Sequence, residues 1–171
     1  MPANVSLAAG LGRIDEDDVA PAPDETATLL PLVTAMGTTL GTIVIHALAV
    51  MAVVHFIRLE RKLQRAGVRF WRDVAIISGV TLVALAAHLV EMLLWAAVFV
   101  ACGEFRGLGD AFYNSAVAYT SLGLGDTVMS GSWKLLAPLE TATGMLMFGV
   151  STAMIFTVCL QLVQTRLRIS Y

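Results

Sequence analysis

The sequence predicts an all-α membrane protein with three transmembrane helices and one shorter segment that enters the membrane without crossing it. Hydrophobic residues make up 57% of the 171 residues and charged residues only 14%, with a mean hydropathy of +0.78. A soluble domain usually carries about 25% charged residues, so this chain has too little polar surface to fold in water. Three long apolar stretches indicate helices, and none shows the short alternating pattern of a transmembrane barrel.

Each apolar stretch is long enough to cross a bilayer, which takes about 20 residues in a helix. The first predicted helix, 31–57, contains no Asp, Glu, Lys or Arg. The second, 74–101, contains only Glu91. The third, 134–165, has Glu140 as the only such residue between positions 135 and 163.

The polar segments around these helices predict the orientation. Residues 1–30 contain six acidic residues, one basic residue and three prolines, and we expect a disordered tail there. The loop 58–73 contains six basic and two acidic residues, which by the positive-inside bias makes it cytoplasmic. The tail 1–30 is then extracytoplasmic, and the last six residues, 166–171, form a cytoplasmic tail with two arginines.

The short segment 110–126 has the pattern of a helix followed by irregular backbone. Asp110 can cap a helix over 110–120. Gly123 and Gly125, separated by one residue, allow backbone conformations that other residues resist. Successive carbonyls of 121–126 can then face one side and replace the water shell of a cation. One chain supplies one wall of such a site, so four identical chains around an axis would complete it.

This segment resembles the pore loop of potassium channels, whose common filter reads Thr-Val-Gly-Tyr-Gly-Asp. The corresponding residues here are Ser121, Leu122, Gly123, Leu124, Gly125 and Asp126. Downstream, 144–153 is similar to the inner helix of simple prokaryotic potassium channels, with Gly144 at the hinge glycine and Gly149 in the Phe-Gly pair after it. The resemblance covers 74–165, and the helix 31–57 is an addition in front of that unit.

The resemblance implies a homotetrameric, potassium-selective ion channel of the cell membrane that conducts passively. Ions would be coordinated within Thr120 to Asp126, with K⁺ held by the backbone carbonyls of Ser121, Leu122, Gly123 and Leu124. Gly144 and Gly149 would be gating hinges, and close helix packing by small residues is the other explanation for them. The implied partners are three further copies of the chain and membrane lipids, with no cofactor besides permeant K⁺ and no small-molecule substrate.

Three departures from the family pattern bear on selectivity. Ser121 stands where Thr is usual, which keeps the hydroxyl and removes a methyl group. Leu124 stands where Tyr or Phe is usual, which removes aromatic packing behind the filter. Val117 stands where some prokaryotic relatives have Glu, so Asp126 lacks that partner. Two alternatives therefore stay open: a weakly selective cation channel, and a non-conducting membrane scaffold with a degenerate channel fold.

Three polar side chains are predicted to lie inside the membrane at similar depth. His46 is about 17 Å from the inner end of its helix and His88 about 21 Å from the inner end of the next. Glu91 follows His88 by three residues, so both share one helix face. Because an unpaired ionisable group is costly in hydrocarbon, we expect one buried polar cluster. It is either a structural clasp or a proton or metal sensor, with zinc as a metal that two His and one Glu can bind.

Other classes of function find less support in the sequence. A Ser-His-Asp arrangement outside the membrane, a P-loop and a Cys-x-x-Cys motif are missing, so we expect no enzyme. A net charge of −2 argues against nucleic-acid binding. One short chain without duplicated halves argues against a secondary transporter. Trp71, Trp95 and Trp133 are predicted to anchor helix ends at the membrane interfaces.

Overall fold

A computed structural model of the chain describes residues 25–62, 70–123 and 129–169, and these ranges contain four helices and no strand. The helices are α1 (Glu25–Lys62), α2 (Phe70–Ala101), α3 (Leu108–Tyr119) and α4 (Leu136–Ile169). Three of them are long and apolar enough to span a membrane, over Leu29–Leu59, Phe70–Ala101 and Leu136–Leu167. The prediction of an all-α, multi-pass membrane protein is confirmed.

The ends of α1 and α2 differ from the predicted bounds because polar residues continue the helices beyond the apolar runs. Residues 25–30, which the sequence analysis assigned to the tail, form the first turns of α1, and α1 continues to position 62. The start of α2 at Phe70 puts Asp73 in the first turn, where the helix dipole favours a carboxylate. The rest of the predicted tail, 1–24, and positions 63–69 and 170–171 lie outside the described residues.

The short helix α3 and the long helix α4 also begin at residues other than those predicted. The N-cap of α3 is Gly107, so Asp110 does not cap it and instead lies in the first turn. A carboxylate there still interacts favourably with the helix dipole. The start of α4 at Leu136 follows a turn over 131–135, with Pro138 in the first turn, where its missing N–H costs no helix bond.

The packing separates two apolar clusters, one at each end of the bundle. The first cluster, on the side of α3, includes Trp95, Phe99, Ala111, Tyr119 and Leu136. The opposite cluster contains Val53, Ile76, Val80, Val158 and Leu162. Along α1, α2 and α4 the buried residues between these two clusters are polar, except for Ala84 and Ala87 of α2. Asp73 of α2 and Arg166 of α4 form an ion pair at 2.5 Å beyond the second cluster.

The surface of the bundle is apolar, as a lipid-facing surface requires. Leu48, Leu82 and Leu146 are 66%, 64% and 66% exposed. Trp71 is also exposed, which fits an interfacial position, but the predicted anchoring role of Trp95 is wrong. Trp95 is fully buried and lies against Phe99, with ring centroids 6.1 Å apart, because this face of α2 packs on the other helices rather than on lipid.

Candidate functional site

The predicted filter begins where α3 ends, and a helix cap fixes the exit of the chain. The N–H of Leu122 donates to the carbonyl of Val117, and the N–H of Ser121 donates to the carbonyl of Ala118, both at 3.0 Å. These two bonds form a Schellman cap in which Ser121 takes the left-handed position usually occupied by Gly, with φ of 59°. The hydroxyl of Thr120 donates back to the carbonyl of Ala116 at 2.6 Å and strengthens the same turn.

The first three residues of the predicted filter have alternating signs of the backbone angle φ. Ser121 and Gly123 have φ of 59° and 61°, whereas Leu122 between them has no positive φ. Positive φ at every second residue turns neighbouring carbonyls toward one side instead of alternating sides. All three residues are exposed on the single chain. The remaining predicted filter residues lie outside the described ranges, and their role stays a prediction: Leu124, Gly125 and Asp126.

Helix α4 supports the end of α3 from behind. The hydroxyl of Thr141 donates to the carbonyl of Ala118 at 2.7 Å. A β-carbon at Gly144 would overlap the carbonyl oxygen of Tyr119, so glycine is what allows the two helices to approach. This gives Gly144 a packing role. Gly149 is exposed, with no described atom within 4 Å of a β-carbon placed there. The gating role of both glycines stays a prediction.

The three intramembrane residues singled out in the sequence lie in contact. Nδ1 of His46 is 2.8 Å from Oε1 of Glu91, and Nδ1 of His88 is 3.2 Å from Oε2 of the same carboxylate. Exposure is 2% for His46, 5% for His88 and 0% for Glu91, so water does not screen these contacts. The contacts join α1 to α2 at one depth of the bundle.

Two residues that sequence reasoning missed complete this site. The hydroxyl of Tyr119 donates to Oε2 of Glu91 and lies 3.1 Å from Nδ1 of His88. The hydroxyl of Ser151 lies 3.1 Å from Nε2 of His46 and 3.0 Å from Nε2 of His88. We call these five residues the polar cluster; they come from all four helices. Depth could have revealed Ser151, which at 1.5 Å per residue lies about 21 Å from position 165, level with His88.

A second buried carboxylate, Glu140, joins α4 to the middle of α3. The hydroxyl of Ser115 contacts Oε1 of Glu140 and also lies 2.8 Å from the carbonyl oxygen of Met92. A carbonyl can only accept, so the single hydroxyl hydrogen of Ser115 goes to Met92. Because one hydrogen would otherwise be shared between two acceptors, we infer that the hydrogen in the other contact comes from Glu140 as a neutral carboxylic acid. Its Oε2 atom has no hydrogen-bond partner among the described residues.

Outside the spanning helices, two loops are tied together beside the filter. The carboxylate of Glu104 accepts hydrogen bonds from the N–H of Ser130, at 2.8 Å, and from its hydroxyl. This links the connection between α2 and α3 to the segment that follows the filter. Burial raises the pKa of the neighbouring Cys102 thiol above its usual value, and the charge of Glu104 raises it further. The thiol is therefore mostly protonated at neutral pH.

The comparison with protein families supports the resemblance seen in the sequence. Residues 87–161 match a family model described as "Ion channel". The matched segment starts in α2, passes through α3 and the filter, and ends in α4. Searches of the curated proteins and of the solved structures found no match. Over the segment 87–161 this multi-pass membrane protein is therefore similar to the ion channel family, which supports the resemblance to pore-loop potassium channels.

Proposed function

We propose that this protein is a homotetrameric potassium channel that conducts K⁺ passively through a carbonyl-lined filter. The observation that carries the proposal is the backbone after α3, where Ser121 and Gly123 have positive φ directly after the helix cap. This backbone lies inside the segment that matches the ion channel family. Together they support a filter whose ion ligands are the carbonyls of Ser121, Leu122, Gly123 and Leu124.

The tetramer follows from the geometry of ion coordination. A K⁺ filter surrounds the ion with rings of carbonyls, one from each of four loops. The chain carries one such loop, and its described filter residues are exposed on the monomer. Native mass spectrometry in detergent should show four copies per particle. A stable monomer or dimer that still conducts would contradict this part of the proposal.

Selectivity is tested by the reversal potential of purified protein in planar bilayers with potassium on one side and sodium on the other. We expect a value close to the potassium equilibrium potential. A value near zero would support the alternative of a weakly selective cation channel, which the Leu124 and Ser121 departures favour. Absence of current from intact tetramers would instead support the non-conducting scaffold.

The filter assignment is tested by Gly123→Ala. Ala at φ of 61° is strained by roughly 1–2 kcal/mol even where there is room, so the carbonyl row should be distorted. We expect loss of potassium-selective current with the tetramer retained. The matched control is Gly131→Ala, an exposed position with no positive φ and with no described atom within 4 Å of an added β-carbon. Equal selectivity in both variants would overturn the assignment.

We also propose that the N-terminus and the end of α2 are extracytoplasmic and the C-terminus cytoplasmic, on the basis of the basic loop 58–73. Cys102 follows the outer end of α2 and should react with a membrane-impermeant thiol reagent added outside. Because the pKa of this thiol is raised, little thiolate is present at neutral pH, and labelling should be more than about tenfold faster at pH 9 than at pH 7. The control is Cys102→Ser, and labelling only from the cytoplasmic side would reverse the orientation.

A further inference from the structure

Three atoms of the polar cluster, one from each of His46, His88 and Tyr119, are packed closely around the carboxylate of Glu91. The Nδ1 atom of His46 is 2.8 Å from Oε1. The Nδ1 atom of His88 is 3.2 Å from Oε2 and 3.1 Å from the phenol oxygen of Tyr119, and that oxygen contacts Oε2 in turn. The ligand atoms of the two imidazoles and the carboxylate all lie within 4.8 Å of one another.

His88, Glu91 and Tyr119 contact one another in all three pairs, and hydrogen bonds alone do not satisfy all three contacts well. The ring nitrogen and the phenol bring one hydrogen each, whereas the ionised carboxylate brings none. Two hydrogens can form hydrogen bonds in all three contacts only if one hydrogen is shared between two acceptors. A metal ion at these contacts removes the mismatch, because each of the three atoms then offers a lone pair to the ion. Three donors at mutual contact are also one face of a coordination tetrahedron.

Ser151 lies on the opposite edge of both imidazoles and supports the same arrangement. Its oxygen is 3.1 Å from Nε2 of His46 and 3.0 Å from Nε2 of His88. With neutral imidazoles that carry hydrogen on Nδ1, both Nε2 atoms need a donor and the hydroxyl has one hydrogen. With Nδ1 bound to a metal, both Nε2 atoms carry hydrogen and donate to the two lone pairs of Ser151. Histidine ligands usually donate their second ring N–H in this way.

We propose that the polar cluster is a binding site for one divalent transition-metal ion of the Zn²⁺ type. The ligands are Nδ1 of His46, Nδ1 of His88, a carboxylate oxygen of Glu91 and the phenolate oxygen of Tyr119, with Ser151 orienting both rings. The phenol proton leaves to solvent on binding. Two anionic ligands then cancel the charge of the ion, which a buried intramembrane site requires.

The spacing of the donors is close to that of such a site. Zinc bonds of about 2.0–2.1 Å in a tetrahedron put neighbouring ligand atoms about 3.3 Å apart. The distances from the carboxylate to the two Nδ1 atoms are 2.8 and 3.2 Å, so these two pairs open by half an ångström or less on binding, whereas the closer contact of the Tyr119 phenol with Glu91 has to open further. The four protein ligands complete the tetrahedron without a water molecule, which is the arrangement of a structural rather than a catalytic zinc site.

A metal here would connect the added helix α1 to the filter. His46 is the ligand from α1, and Tyr119 is the last residue of α3, directly before Thr120 and the filter cap. Occupancy of the site then determines where α3 ends relative to α1 and α2. The site is independent of whether the protein conducts potassium, since its contacts lie within one chain.

The first experiment measures metal content. Protein purified through an affinity tag without histidine should contain about one zinc per chain by mass spectrometry of the metal. His46→Ala and His88→Ala should abolish this content. The matched control is His55→Ala, which removes the third and last histidine, an exposed residue of α1, and should leave the content unchanged.

The second experiment separates ligands from neighbours with Co²⁺ added to protein stripped by a chelator. The wild type should show the intense visible absorption of tetrahedral cobalt and release a proton from the phenol. Tyr119→Phe should change this spectrum and release about one proton fewer per ion. Ser151→Ala should keep the spectrum and weaken affinity about 10- to 100-fold, as loss of an outer partner does.

A wild-type protein that contains no zinc and, after stripping, shows no tetrahedral cobalt spectrum overturns the proposal. Equal metal content in His46→Ala, His55→Ala and the wild type would also overturn it, because the metal would then sit elsewhere. Should the His variants fail to fold, the X-ray absorption spectrum of zinc in the wild type decides, with two imidazoles and two oxygens expected.

Discussion

Glu91 and Glu140 are the two acidic residues inside the spanning helices α2 and α4 beyond their first turns, and both are fully buried. Glu91 accepts contacts from two imidazoles and a phenol, which come from three helices. Glu140 contacts only the hydroxyl of Ser115, and its second oxygen has no partner among the described residues. The same side chain at the same burial thus has two different surroundings.

The difference shows how this protein keeps carboxylates inside a membrane. A charged carboxylate needs donors on both oxygens to offset the loss of water, and the polar cluster supplies them to Glu91. Glu140 has no such donors and remains a neutral acid, which is cheaper to bury. Each carboxylate also fixes one part of α3: Glu91 holds its last residue, Tyr119, and Glu140 holds its middle at Ser115.

The comparison is tested most strongly by Glu91→Gln, which keeps the size of the side chain and removes its charge. The amide offers one acceptor oxygen and puts N–H donors against imidazole and phenol hydrogens. We expect the free energy of unfolding of the metal-free protein to fall by about 3–5 kcal/mol, because at least two hydrogen bonds to a charged carboxylate are lost, each worth about 1.5–3 kcal/mol. Denaturant titration of the protein in detergent, followed by circular dichroism, measures this change. A loss below about 1 kcal/mol would mean that Glu91 is as neutral as Glu140.

The second prediction concerns Tyr119, which contacts Glu91 through its phenol and Gly144 of α4 through its backbone. Gly144→Ala puts a β-carbon into the carbonyl of Tyr119, so α3 must shift and carry its phenol away from Glu91. Overpacking of this kind typically costs about 1–3 kcal/mol. Gly149→Ala is the matched control in the same helix, where an exposed glycine gains stability of about 0.5–1 kcal/mol on becoming alanine. Equal effects in the two variants would show that the Gly144 contact relaxes freely and that its role lies elsewhere.

Much of this arrangement could be predicted from the sequence, because hydropathy and charge report depth in the membrane. Long apolar runs with at most one acidic residue in each predict the three spans, and depth counted from the helix ends places His46, His88 and Glu91 at one level. Hydropathy does not report which face of an all-apolar helix points inward, and this is why Trp95 was assigned to the interface. Tyr119 was missed for the same reason, since contact with Glu91 depends on how α3 packs rather than on its own sequence.

The third prediction tests the hydrogen assignment at the second carboxylate. Ser115→Ala removes the acceptor for the acid proton of Glu140 and the donor to the Met92 carbonyl. Leaving a buried polar group without its partner costs about 1–3 kcal/mol, and we expect the lower part of that range because the acid is uncharged. The same denaturant titration measures the loss, and Ser132→Ala, at an exposed loop position, serves as control. A loss as large as that of Glu91→Gln would indicate that Glu140 carries a charge.

The smallest effect is expected for Glu140→Gln, the same chemical change that is expected to be severe at Glu91. A neutral acid and an amide have nearly the same shape, and each presents an acceptor oxygen and at least one donor hydrogen, the amide carrying one further N–H. The amide N–H₂ can donate to Ser115 as the acid O–H does, so the hydroxyl of Ser115 still donates to Met92. We expect the free energy of unfolding to change by less than about 1 kcal/mol, since no hydrogen bond is lost. The unfolding midpoints of the two Gln variants, measured side by side, decide the comparison. If Glu140→Gln is the more damaging of the two, the assignment of charge to Glu91 and of the neutral acid to Glu140 is reversed.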